Sequence, residues 1–427
     1  MRLGGHLFAF GGTLVAAAGL AYCNVYSDSL LVSGSARDAG TDGPDAGAGI
    51  GWWSGPGSTD DCYSAGVPTP ANRPPAGDTS TVPPIYLAIT AMRLGSLDPN
   101  NQPSMTAWQD IGFDLDGVCT NSPTCLTNNP VVSCKPTGAA VPYDGNYCRD
   151  NTFGRLEQQA STVTAIGGTY GLNDDAFDCA LCVGDYNFLI KISNYNGQTD
   201  DDEVRIDLYP SPGLETPLPS DCSSPTWRMH SVCFNSGNPF TIRDTAVAQP
   251  QGGPMLPDAI VNDPKAYVRG GYIVAQLPAN TLFWFPGYNA PATAFPLSFA
   301  QALVAGRLAK AQDGTWTIQD GTIGGVATEQ DILNGFQLIG FCPSTEPMNY
   351  PLVKSELHGY LDILASGKAD PNTTCDSISV GIGFTAAQAT AGKLVHIPDP
   401  VPCTPRGQGS DGGTDGGKDA MADGSGD

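Results

Sequence analysis

The chain has 427 residues, with 43 aspartates and glutamates against 20 lysines and arginines and a net charge of −23 at pH 7. That surplus excludes nucleic acid and anionic lipid headgroups as partners, because binding to either needs basic side chains that displace counterions. Residues 51 to 403 keep 34 acids against 16 bases, and 28 of those acids are aspartates, whose short side chains favour turns over helix interiors.

In chain order, Leu7 to Tyr22 is an uncharged apolar run of 16 residues behind Arg2, the pattern of a signal peptide over residues 1–22. It is shorter than the roughly 20 residues needed to cross a bilayer. Leu20-Ala21-Tyr22-Cys23 resembles a bacterial lipobox, in which the cysteine receives diacylglycerol and becomes the new N-terminus. Tyr22 stands where that pattern has glycine, alanine or serine. The alternative is ordinary cleavage after Ala21, with Cys23 left as an unpaired or intermolecularly paired thiol. Asn24 is not the aspartate of an inner-membrane retention signal, so the expected location is the outer membrane or cell surface. Residues 23–51 read as a lipid anchor and disordered tether, too poor in apolar residues to offset the entropy of ordering. Residues 52–403 form the folded domain, and 404–427 read as a disordered acidic tail.

Within the domain, Pro-rich residues 67 to 84 are an extended lead-in and Ile85 to Leu94 a first strand. Phe113 to Asp116 reads as a strand, and a helix follows Phe153. Phe188, Ile190 and Ile192 alternate with Leu189, Lys191 and Ser193, and Val204, Ile206 and Leu208 with Arg205, Asp207 and Tyr209, which predicts a hairpin with one apolar face. Strands are expected at Thr226 to Phe234, Tyr272 to Leu277 and Thr281 to Phe285. Leu297 to Lys310 also reads as a strand, although its alanines favour helix. Asp313-Gly314 signals a second hairpin with a type I′ turn, and Thr328 to Leu338 a short helix capped by Thr328. Many short strands and few helices predict an all-β antiparallel sandwich or jelly roll with one or two short helices, held by disulfides.

Twelve cysteines follow Cys23: Cys62, Cys119, Cys125, Cys134, Cys148, Cys179, Cys182, Cys222, Cys233, Cys342, Cys375 and Cys403. An even set in an exported chain implies disulfides whose connectivity spacing cannot give. Cys179-Ala180-Leu181-Cys182 has redox-motif spacing but no thioredoxin-like context, so both cysteines read as structural.

Asp114 and Asp116 share one face of the expected strand, and Asp144, Asp150 and Asn151 add oxygens around Cys148. Hard oxygen donors clustered in an exported protein point to Ca2+, and these five residues are the candidate metal ligands. The plainer reading is turn-forming, solvated aspartates, which also serves for Asp200 to Glu203, Asp174, Asp175 and Asp178. No catalytic set stands out. His230, His358 and His396 lack metal-ligand spacing, there is no Gly-x-Ser-x-Gly, and Gly321 to Gly325 lacks the lysine of a phosphate loop. Asp114 and Asp116 would be the carboxylates of a glycosidase. Trp52-Trp53, just beyond the tether, is expected to leave at least one ring exposed.

The lipobox-like signal, the Gly/Asp/Ala-rich tether and a cysteine-rich β domain containing Phe113-Asp114-Leu115-Asp116-Gly117-Val118-Cys119 resemble the uncharacterised secreted lipoproteins of myxobacteria. That resemblance implies a surface location and no particular activity. The expected function is a lipid-anchored cell-surface binding or adhesion module, stabilised by calcium. Its expected partners are the membrane, through the lipid, and an extracellular polysaccharide or surface protein. The alternatives are a secreted glycan hydrolase and a passive structural envelope lipoprotein.

Overall fold

The computed structural model describes residues 51–398 and 403, except 57–61, 126–130, 139–141, 163–173, 220, 221, 223, 225, 249–255, 286–294, 339–341 and 345–349. The signal peptide, Cys23, all of the tether but Gly51, and the acidic tail lie outside the described residues.

Eight strands close into a barrel: β1 (Ile85–Arg93), β2 (Asn187–Ser193), β3 (Asp201–Ser211), β4 (Val261–Arg269), β5 (Tyr272–Leu277), β6 (Gln301–Lys310), β7 (Trp316–Thr328) and β8 (Ser377–Gln388). Each pairs antiparallel with the next in chain order, and β8 pairs with β1. This is an up-and-down barrel, a closure that leaves its strands no free edge.

The expected hairpin is β2–β3, with Ile190 opposite Leu208 and Ile192 opposite Ile206. Its apolar face joins Ile85, Leu87 and Ile89 of β1, Ile273 and Ala275 of β5, Val304 of β6, Ile323 of β7 and Val380 and Ile382 of β8 in one buried core. Because side chains alternate along every strand, this set fills the barrel interior.

The sheet closes on itself instead of splitting into the two packed sheets of the expected sandwich. Alternation is the same in both architectures, so periodicity cannot separate them. Closure depends on bends such as the register shifts at Ala305/Arg307 on β6 and Ile318/Gly321 on β7, where irregular pairing increases strand twist.

Tyr272–Leu277 and Thr281–Phe285 appear as expected, but the one strand expected at Leu297 to Lys310 is two, Phe295–Phe299 paired with Thr281–Phe285 and Gln301–Lys310 in the barrel. At Thr226 to Phe234 the chain makes one helical turn, α3 (Trp227–His230), in place of a strand. The 313–314 hairpin forms, but only Gly314 of the pair has positive φ, at 88°. Asp313 instead accepts from the Thr315 amide at 3.0 Å, so the turn is not type I′. Besides α1 (Thr152–Thr162) and α4 (Glu329–Leu338), which were expected, the chain forms α2 (Asp174–Val183) and α5 (Tyr350–Gly359).

Much of the outside of the barrel is covered. Phe234, Phe240 and Ile242 pack over Ala88, Leu189 and Tyr209, while Trp52 and Trp53 pack with Phe113 over Tyr267, Val274 and Leu303. Both tryptophans are therefore half-buried, with rings edge-on at 5.2 Å. The twelve cysteines pair as Cys62–Cys125, Cys119–Cys148, Cys134–Cys375, Cys179–Cys222, Cys182–Cys233 and Cys342–Cys403.

Candidate acidic site in the loop layer

The connection from β1 to β2 carries the acidic loops and docks on the outer face of β7 and β8. That face is made of small residues. A Cβ on Gly324 would meet the Phe113 ring at 2.3 Å, and one on Gly381 would meet the Asn151 carboxamide, Gly112 and Ile111 at 2.9 Å. The Gly321 to Gly325 run thus supplies close approach for a neighbouring segment, a role that glycine alone can fill here.

Phe113 to Asp116 is not the expected strand. Phe113 makes a single bridge to Asp150, and the chain then turns, with Asp114 accepting from the Gly117 amide and Asp116 from the Val118 amide, each at 2.8 Å. Aspartate and a glycine at φ 75° favour this local bonding over a ladder. Asp150 reaches across to accept from the Leu115 amide at 2.6 Å, and Asp114 also accepts from the Ser64 hydroxyl. The result brings carboxylate oxygens of Asp114, Asp116 and Asp150 within 4.8 Å of one another. The Cys119–Cys148 disulfide ties the two loops together.

Asp144, 6% exposed, accepts from the Thr120 amide at 2.5 Å. Burial, then the charge of Asp116, push its carboxyl well above the usual range. Burial does the same to Asp150, reinforced by Asp116, Asp144, Asp114 and Asp362. Burial also raises Asp116, against the Ser133 hydroxyl and the Val118 amide. Burial thus disfavours the charged form of all three, and for Asp144 and Asp150 the negative charge of the neighbouring aspartates disfavours it further.

Asn151 lies beside them but is spent on docking. Its Oδ1 accepts from the Gly381 amide at 2.8 Å and from Gly154 at the start of α1 at 3.0 Å, while Nδ2 donates to Trp108 O at 3.1 Å. Asp362 was not legible as a member of this group. It accepts from Thr152 Oγ1 at 2.8 Å and from the hydroxyl and amide of Ser379, and burial pushes its carboxyl up to about 6. A lone aspartate within Leu361-Asp362-Ile363, more than 200 residues beyond the others, carries no local signal.

The remaining sequence candidates serve structure. Cys179 and Cys182 sit on α2 and bridge to Cys222 and Cys233, not to each other. Asp174 accepts from the Leu94 and Leu97 amides, and Asp178 pairs with Arg93 at 2.6 Å. Asp201 accepts from the Asn196 amide at 2.6 Å, and Asp200 and Asp202 accept from Gly270 and Gly77. His396 Nδ1 lies 3.0 Å from Asp244, and His230 is exposed. His358 Nδ1 lies 3.0 Å from Glu329 in an open groove of about 780 Å³ lined by residues of α4 and α5. Chemically, the acidic site is a set of hard oxygen donors whose repulsion a divalent cation would relieve.

No family model matches the chain, and neither a curated protein nor a solved structure matches it.

Proposed function

We propose that the protein is exported, anchored by a lipid on Cys23 at the outer membrane or cell surface, and works there as a binding or adhesion module. The observation that supports this reading is that all twelve cysteines after Cys23 are consumed in six internal bridges. Such bridges fit an oxidising, extracellular compartment, and they leave Cys23 as the one cysteine outside the set. Among the described residues no helix is long and apolar enough to cross a membrane. The barrel is the rigid support, and the binding surface for an extracellular polysaccharide or surface protein lies on the exposed side of the stapled loop layer, above its buried aspartates. The likeness to secreted myxobacterial lipoproteins belongs to the same reading.

Radiolabelled palmitate fed to expressing cells tests the anchor. Label is expected in the wild-type chain and absent from Cys23→Ala, and label that persists in the variant contradicts lipidation. A glycan array with the purified chain tests the binding role, with bound sugar and no turnover as the expected result.

A further inference from the structure

Two independent observations meet in the loop layer. The first is the convergence of Asp114, Asp116 and Asp150 oxygens to within 4.8 Å. Ligands on one Ca2+, at bond lengths of about 2.3–2.6 Å, lie up to roughly 5 Å apart, so the spacing is that of oxygens sharing an ion. Among the described residues no lysine or arginine pairs with Asp116, Asp144, Asp150 or Asp362, although each ion pair elsewhere supplies one or a histidine.

The second observation concerns a neutral group. Ser133 is 3% exposed, and its hydroxyl lies beside Asp116. Yet Ser133 Oγ meets no partner with acceptable hydrogen-bond geometry. Buried hydroxyls are ordinarily paired. This one sits next to the Cys134–Cys375 bridge, beside Asp116. The donors are all oxygens, with the nearby sulfurs of Cys119 and Cys148 locked in a disulfide, which selects a hard cation over zinc or copper.

We propose that Asp114, Asp116 and Asp150 hold one calcium-class divalent cation, completed by the Ser133 hydroxyl and Asp144, and that the ion locks the 113–120 and 143–151 loops together. Asp362 adds to the attraction from the barrel side. This site is independent of the lipid anchor, and Cys23→Ala is expected to bind calcium as well as the wild type does.

The test is equilibrium dialysis of the EDTA-stripped, disulfide-bonded full chain against radioactive calcium. A single bound ion is expected, with a dissociation constant in or below the millimolar range typical of extracellular modules. Asp116→Asn, which keeps the shape and removes the charge, is expected to weaken binding by roughly 100-fold, because charge count sets calcium affinity. Ser133→Ala is expected to weaken it several-fold, and Asp202→Asn, at the start of β3 and outside the acidic loops, to leave it unchanged. If Asp116→Asn fails to fold, Ser133→Ala decides. No bound calcium at a few millimolar, or unchanged binding in Ser133→Ala, overturns the proposal.

Discussion

Glu157 shows how far burial alone can move a single group. It lies on α1, 6% exposed, and burial first, with the charge of Asp174 second, pushes its carboxyl up to about 9. The folded chain therefore keeps a proton that the unfolded chain, with a value near 4.5, has lost at neutral pH. A raised folded pKa gives stability that is complete below the unfolded value and is lost as pH rises towards the folded one. The loss is at most about 1.4 kcal/mol per pH unit for one site. Glu157→Gln should then raise the melting temperature at pH 8 and do much less at pH 5, and equal gains at both would contradict the assignment. Asp114, Asp116, Asp144 and Asp150 could be read from the sequence because each lies near a glycine or a cysteine in a turn-rich stretch. Ser133 and Asp362 could not, since the disulfide and the β8 strand that deliver them act across more than 200 residues.

At the level of elements, the docking of the acidic loops rests on the glycines of β7 and β8. Gly381→Val would drive side-chain atoms into Asn151, Gly112 and Ile111. Overpacking of this kind costs about 1–3 kcal/mol, to be read from the urea midpoint. Gly359→Ala, with nothing within 4 Å of the new Cβ, should stay within about 0.5 kcal/mol of wild type. Equal midpoints for the two variants would contradict a close-packed seam. Alternation made the barrel strands legible, as at β2 and β3. Phe113 to Asp116 misled because its alternating pattern is also that of two aspartates accepting from backbone amides two and three residues further on, and the bonds from Gly117 and Val118 show that the turn won.

For the molecule as a whole, the barrel is apolar inside, while Lys191, Arg205, Asp207, Arg307 and Asp320 lie on the outward side, several in ion pairs. That is the reverse of a transmembrane barrel, whose apolar band faces lipid. Bridges then stabilise the fold by restricting the unfolded chain, and the Cys134–Cys375 bridge spans 241 residues against 43 for Cys179–Cys222. Loop-closure entropy makes the longer bridge worth about 1.5 kcal/mol more. Guanidinium unfolding of the two Cys→Ser pairs should show that order, and the opposite order would place the effect in the native state. The same long bridge carries Ser133 to the acidic loops, so calcium affinity should also fall in Cys134→Ser/Cys375→Ser.

Hydrogen exchange of the full chain with and without calcium addresses the central claim most directly, because it reads where an ion acts. Added protection is expected in residues 113–120 and 143–151, with the β2–β3 hairpin unchanged. Protection that is absent, or spread evenly over the barrel, would contradict an ion held in the stapled acidic layer.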